Sequence, residues 1–135
     1  MYIKVRPKVY RLLEDIAKGG RMVMAHDKEK KEVYFKRPRK SSWLIMVHQE
    51  SDGSITVEIG YLTKKKAKGG REVRIFAEWN SKMPSCVIFA NAVYCFDGLI
   101  EKWLTDGKRK IRLSDLLTPI RDMALKASKR FWGGR

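Results

Sequence analysis

The stretch Ile55-Thr56-Val57-Glu58-Ile59-Gly60-Tyr61-Leu62, taken up again in Arg71-Glu72-Val73-Arg74-Ile75-Phe76-Ala77-Glu78-Trp79, decides the fold. In the first segment Ile55, Val57, Ile59 and Tyr61 alternate with Thr56, Glu58 and Gly60. In the second, Val73, Ile75, Ala77 and Trp79 alternate with Glu72, Arg74, Phe76 and Glu78. A period of two puts successive side chains on opposite faces, so both segments read as half-buried antiparallel strands. Ile55, Val57, Val73 and Ile75 then mark the packed face, and Thr56, Glu58, Arg74 and Phe76 the other.

Upstream, Ser51-Asp52-Gly53 carries hairpin chemistry, and Trp43–Glu50 reads as a strand apolar on both sides. Two further strands are expected at Lys31–Arg37 and Arg21–His26. Before them, Val9, Leu12, Leu13 and Ile16 recur at helical spacing after Pro7, and Gly19-Gly20 supplies a stop, so residues 7–18 should be a helix. Downstream, Val93, Phe96, Ile100, Trp103 and Leu104 favour a helix over most of Pro84–Leu104, although Val87-Ile88-Phe89 also reads as the start of a sixth strand. Thr118 followed by Pro119 suits the cap and first position of a last helix running to about Phe131, and the last helix is expected over about 114–131.

The expected fold is therefore α+β: a five-stranded antiparallel meander sheet with one N-terminal helix and two C-terminal helices. Residues 1–132 form one domain and 133–135 a loose tail. Leu113, Leu116, Ile120, Met123 and Ala127 follow three- and four-residue steps, which suits packing on the domain itself or a dimer seam.

The composition adds a second constraint. The chain has 135 residues, 44% of them hydrophobic, so it is long enough to bury a core without staples. It carries 30 Lys and Arg against 15 Asp and Glu, a formal charge of +15. Like-charge repulsion opposes compaction, so a surplus of this size points to a polyanionic partner. Lys4, Arg6 and Lys8 interrupt the opening segment, unlike a secretory signal. The run Cys86–Phe96 is about half of the ~20 residues a membrane helix needs. We expect a cytoplasmic protein with no membrane partner, nucleoid-associated where the partner is DNA. Cys86 and Cys95 fit neither a disulfide framework nor a zinc spacing and read as buried thiols. The single Gln and two Asn hint at a thermophilic source.

The cations are clustered. They lie in Lys36-Arg37-Pro38-Arg39-Lys40, in Lys64-Lys65-Lys66-Ala67-Lys68-Gly69-Gly70-Arg71 and in Lys108-Arg109-Lys110-Ile111-Arg112. A meander places alternate connections at one end of its sheet, so the first two clusters should share an end with Lys18 and Arg21. The opposite end takes the mixed Asp27–Lys30 turn and the acidic Glu50–Asp52 turn. The near-repeat Ala17-Lys18-Gly19-Gly20-Arg21 and Ala67-Lys68-Gly69-Gly70-Arg71 delivers Arg to a strand start twice. Beside this rim, Tyr34, Lys36, Leu44, Met46, Arg74 and Phe76 are expected on one sheet face. Aromatic surface interleaved with cations suits single-stranded nucleic acid, whose bases stack while its phosphates pair with Lys and Arg. A helix over that face would make Phe76, Leu44 and Met46 core instead.

Catalytic signatures are sparse. The glycine pairs lack the spacing of nucleotide-binding loops, and His26 and His48 stand alone. Asp52 and Glu58 could hold Mg²⁺ in a nuclease, but Gly60 occupies the place where a Lys would assist. We expect no enzyme, cofactor or metal.

The order of elements, a leading helix in Arg6-Pro7-Lys8-Val9-Tyr10-Arg11-Leu12-Leu13-Glu14-Asp15-Ile16, then a basic antiparallel sheet, then helices, resembles the ThermoDBP-type single-stranded DNA-binding proteins of hyperthermophilic archaea. The resemblance implies a sheet-built cleft for single-stranded DNA and dimerisation through the C-terminal helix, which would use Leu113, Leu116, Ile120 and Met123. It transfers no residue roles. The expected function is non-sequence-specific binding of single-stranded nucleic acid, DNA favoured over RNA. Lys18, Arg21, Lys36, Arg37, Arg39, Lys40, Lys64, Lys65, Lys66, Lys68, Arg71 and Arg74 would hold phosphates, and Tyr34, Trp43 or Phe76 would stack. The alternative is a structured-RNA or ribosome-associated protein using the same rim.

Overall fold

In chain order the elements are β1 (Tyr2–Lys4), α1 (Pro7–Ala17), β2 (Val23–Asp27), β3 (Glu32–Lys36), β4 (Trp43–Gln49), β5 (Ile55–Ala67), β6 (Gly70–Asn80), β7 (Cys86–Phe89), β8 (Ala92–Cys95), β9 (Trp103–Thr105), β10 (Lys110–Arg112) and α2 (Leu113–Phe131). The computed structural model describes residues 2–19, 22–29, 31–36, 43–67, 70–96 and 101–133, and of residues 64–67, 70 and 71 the backbone alone. Strands β2 to β8 form one seven-stranded sheet in sequence order, every pair antiparallel. Strand β9 lies between β1, parallel to it, and β10, antiparallel, in a separate three-stranded sheet.

This corrects the expected five strands and two C-terminal helices. Cys86–Cys95 is a hairpin, not a helix. Ala90 and Asn91 both have positive φ, 47° and 67°, the geometry of a tight two-residue turn. Val87 and Phe89 are buried while Ile88 is only partly so, a period of two that the apolar run conceals. The turn also corrects the reading of the cysteines as thiols. Cys86 and Cys95 are equidistant from it, pair in register with Cα atoms 4.0 Å apart, and form a disulfide.

One face of the large sheet is the core. Val33, Val47, Val57 and Trp79 are neighbours in one row across the strands, and Phe35, Ile45, Ile59, Ala77 and Phe89 in the next; all are buried. Helix α1 starts on Pro7 and buries Val9, Tyr10, Leu13 and Ile16, each side chain contributing about 1.5–3 kcal/mol. It stops where Gly19 takes φ +66° and its N–H donates to the Ile16 carbonyl. The first turn shares a cavity with Phe76 and Phe89, and the last turn shares another with Met24 and Phe35. So α1 runs across the strands.

Helix α2 packs on α1, β4 and β5. It begins at Leu113, one residue before the expected bound of about 114, so Thr118 is not its cap and Pro119 lies inside it. An interior proline costs about 3 kcal/mol, which burial of Leu113, Leu116 and Leu117 outweighs at about 1.5–3 kcal/mol each. Leu113, Leu116 and Ile120 are fully buried within the chain and Met123 is partly buried, so of the two expected uses of this stripe the structure shows packing on the domain itself, which leaves those three leucine and isoleucine side chains no surface for a dimer seam. Among the described residues no helix is long and apolar enough to cross a membrane.

Candidate nucleic-acid interface

Antiparallel order sends every second connection to the same end of the sheet. The end of β3 at Lys36, the start of β4 at Trp43, the paired ends of β5 and β6 at Ala67 and Gly70 and the Ala90-Asn91 turn therefore share one end, called here the basic end. The opposite end carries residues 28, 29 and 31, 50–54 and 81–85 between strands.

At the basic end β5 and β6 run on alone. Tyr61 is the last β5 residue paired to β4, opposite Trp43, yet pairing with β6 continues from Leu62↔Val73 to Ala67↔Gly70. The six residues Leu62–Ala67 give a two-stranded arm roughly 20 Å long at about 3.3 Å per residue. Register shifts between Leu62 and Lys66, so Thr63, Lys64 and Lys65 stand against Glu72 alone. Such a bulge twists the ribbon and disfavours further strand pairing. Lys64, Lys65, Lys66 and Arg71 thus occupy the arm by backbone position. Lys68 lies outside the described residues, as do Arg21, Arg37, Arg39 and Lys40.

Lys18 and Lys36 are exposed, and Lys18 pairs with Glu14 at 3.7 Å. Arg74 is exposed opposite Tyr61. Two of the four cations of the third run are paired with carboxylates: Arg109 bonds Asp106 at 2.8 Å and Glu14 at 3.2 Å, and Arg112 bonds Asp115 at 2.9 Å. The Arg109 guanidinium and the backbone N–H groups of Arg109 and Lys108 hold the Asp106 carboxyl well below the usual carboxylate range.

The stacking residues are elsewhere than expected. Ile59 pairs with Ala77 and Gly60 with Ile75, so Phe76 is the extra residue of a second bulge. Parity reverses there: Ile75 is 43% exposed, whereas Phe76 packs against the core and stacks on Tyr61 with centroids 4.9 Å apart. Gly60 permits this bulge, since a Cβ on it would meet the Arg74 carbonyl oxygen at 2.3 Å. Trp43 is only 3% exposed on the packed side, which removes it as a base platform.

Tyr34 does lie on the other face, but in acidic company. Its hydroxyl donates to Glu32, and burial followed by that carboxylate raises its pKa. His48 bridges Glu32 through Nδ1 at 3.1 Å and Glu58 through Nε2 at 2.5 Å. The hydrogen bond to Glu58 is the main reason the imidazole pKa is raised, against the effect of burial. Glu58 pairs across strands with both Met46 and Glu78. The middle of this face is therefore carboxylate-rich, and Lys36 beside Leu44 belongs to the basic end.

Asp52 binds Lys82 and Ser54, which lower its pKa, while Glu58 binds His48. Among the described residues no cluster of His, Cys, Asp and Glu is arranged to hold a metal ion.

The sequence reading missed a basic and aromatic corner. Lys8 Nζ stands 5.6 Å from the Tyr61 ring centroid, and Tyr61 stacks on Phe76. Lys4, Arg6, Phe76, Phe89, Ala90 and Tyr94 line a cavity of about 370 Å³ with Ile3, Val5 and Val9. The available signal was Lys4-Val5-Arg6-Pro7-Lys8, a cation at every second residue. No family model, curated protein or solved structure matches this chain.

Proposed function

We propose that this protein binds nucleic acid without marked sequence preference, single-stranded DNA being the favoured form, through phosphate contacts at the basic end. One observation carries the reading: sheet topology gathers the β3 and β4 ends and the cation-rich arm at one end, with Lys8 against Tyr61 at the arm's foot. Charge sorted in this way suits a polyanion, because each neutralised phosphate releases counterions. A structured RNA is the second reading, favoured by the arm itself, since a two-stranded ribbon can lie along a helical backbone without unpaired bases.

Competition between a 12-nucleotide single strand, its DNA duplex and a hairpin RNA, at two salt concentrations, tests both. Binding that weakens with salt and is strongest for the single strand supports the first reading. Tighter binding of the hairpin favours the second, and no complex with any of them at low salt overturns both.

A further inference from the structure

We propose that the cavity at the foot of the arm, between the start of α1 and strands β6 to β8, takes one unpaired nucleobase whose flanking phosphates meet Lys4, Arg6 and Lys8. The inference rests on the nucleic-acid reading above and deepens it by naming the group that distinguishes single strands from duplexes.

Its size and lining carry the argument. At about 370 Å³ the cavity lies within the range of small-ligand sites. Phe76, Phe89 and Tyr94 supply aromatic wall, and Ile3, Val5 and Val9 supply aliphatic wall. Bases stack on such surfaces with little regard to their identity, which matches binding without sequence preference. Lys4 and Arg6 are exposed on the rim and Lys8 stands over Tyr61, so cations flank the apolar interior. A neutral apolar ligand would leave those charges unused, and a phosphate alone would leave the aromatic wall unused. A nucleotide with a free base satisfies both, and a base inside a duplex cannot enter.

The bulge explains why these groups meet. Without the extra residue, Phe76 would keep the parity of Arg74 and Glu78 and lie on the opposite face of the sheet. Gly60 thus shapes a cavity it does not line.

The test compares dT12 with a twelve-unit abasic deoxyribose-phosphate chain, which has the same phosphates and no bases. The wild-type protein should prefer dT12 by roughly tenfold, the order expected for one stacked base. Phe76→Leu and Tyr94→Leu, checked for folding by thermal melting, should remove that preference and leave abasic binding unchanged. Equal wild-type affinities for the two chains, or a preference that survives both substitutions, would overturn the cavity assignment while leaving phosphate binding intact. Failure to bind either chain at low salt would overturn the nucleic-acid reading itself. Should both variants fail to fold, photo-crosslinking of a 5-iodouracil 12-mer to the wild type replaces them. Adducts on Phe76 or Tyr94 support the site, and adducts confined to other residues overturn it.

Discussion

Replacing Gly60 by alanine tests the link between local backbone and site. A methyl at Gly60 would lie 2.3 Å from the Arg74 oxygen, 3.1 Å from the Arg74 carbonyl carbon and 3.3 Å from Ile75 Cα. Carbon atoms in contact prefer about 3.5–4.0 Å, and all three neighbours are backbone, so no side chain can swing aside. Gly60 does not occupy the left-handed region, so contact alone sets the cost. Forcing β5 and β6 apart at the bulge costs about 1–3 kcal/mol as overpacking, plus about 1 kcal/mol for a ladder hydrogen bond. The reduced entropy of the unfolded chain returns about 0.4–1 kcal/mol. The net is a loss of about 2 kcal/mol, which for a domain of this size lowers the melting temperature by roughly 6–10 °C. Thermal unfolding followed by circular dichroism gives that shift directly. If G60A melts at or above the wild type, as strand propensity alone would have it, the close approach and the bulge argument are refuted.

Three further outcomes follow from the same geometry. Changing Lys64, Lys65 and Lys66 together to Ala should weaken oligonucleotide binding and flatten the log–log salt slope by about 2, at ~0.7 per phosphate on a single strand; the melting temperature should move by less than about 2 °C. Because the His48 pKa is raised in the fold, protonated His48 stabilises it; that contribution is complete below the ordinary value of 6.5 and is lost as pH rises through the raised one. Melting temperature measured across this window should fall with pH, and His48→Gln should remove that part of the fall. Replacing Cys86 and Cys95 by Ser opens a short loop and should cost about 2–3 kcal/mol in a urea titration, whereas unchanged stability would contradict the cross-link.

What was legible in the sequence is what repeats locally. Helix α1 announced itself through Pro7, its apolar stripe and Gly19, and β2 to β6 through short runs bounded by turn residues, with clear alternation in β5 and β6. The β7–β8 hairpin was hidden because Val87, Ile88, Phe89 and Val93 fit two periods at once, and the Ala90-Asn91 turn between them carries no glycine to mark it. Strands β1, β9 and β10 have three residues each, too few to show a period, and β1 pairs with a segment about a hundred residues away. Thr118 and Pro119 looked like the start of α2 because the buried leucines that override the proline are a tertiary fact.

The site divides along the same line. Shared placement of the basic strand ends followed from a meander and needed no side-chain detail. The position of Phe76 did not follow, because one bulge residue inverts every parity assigned beyond it. Nor did the carboxylates around His48, which come from the two strands flanking its own, in a register that only pairing fixes. The resemblance in element order led to a cleft beside the sheet. The residues that line the present cavity include β1, β7 and β8 side chains that no expectation had brought together.

Lysine footprinting tests the central claim most directly: acetylation of each lysine, read by mass spectrometry with and without dT12 at low salt. The account predicts protection at Lys4, Lys8, Lys36 and Lys64–Lys66, with Lys28 and Lys82 at the opposite end equally reactive in both states. Protection centred on Lys28 and Lys82, or none anywhere, would contradict it.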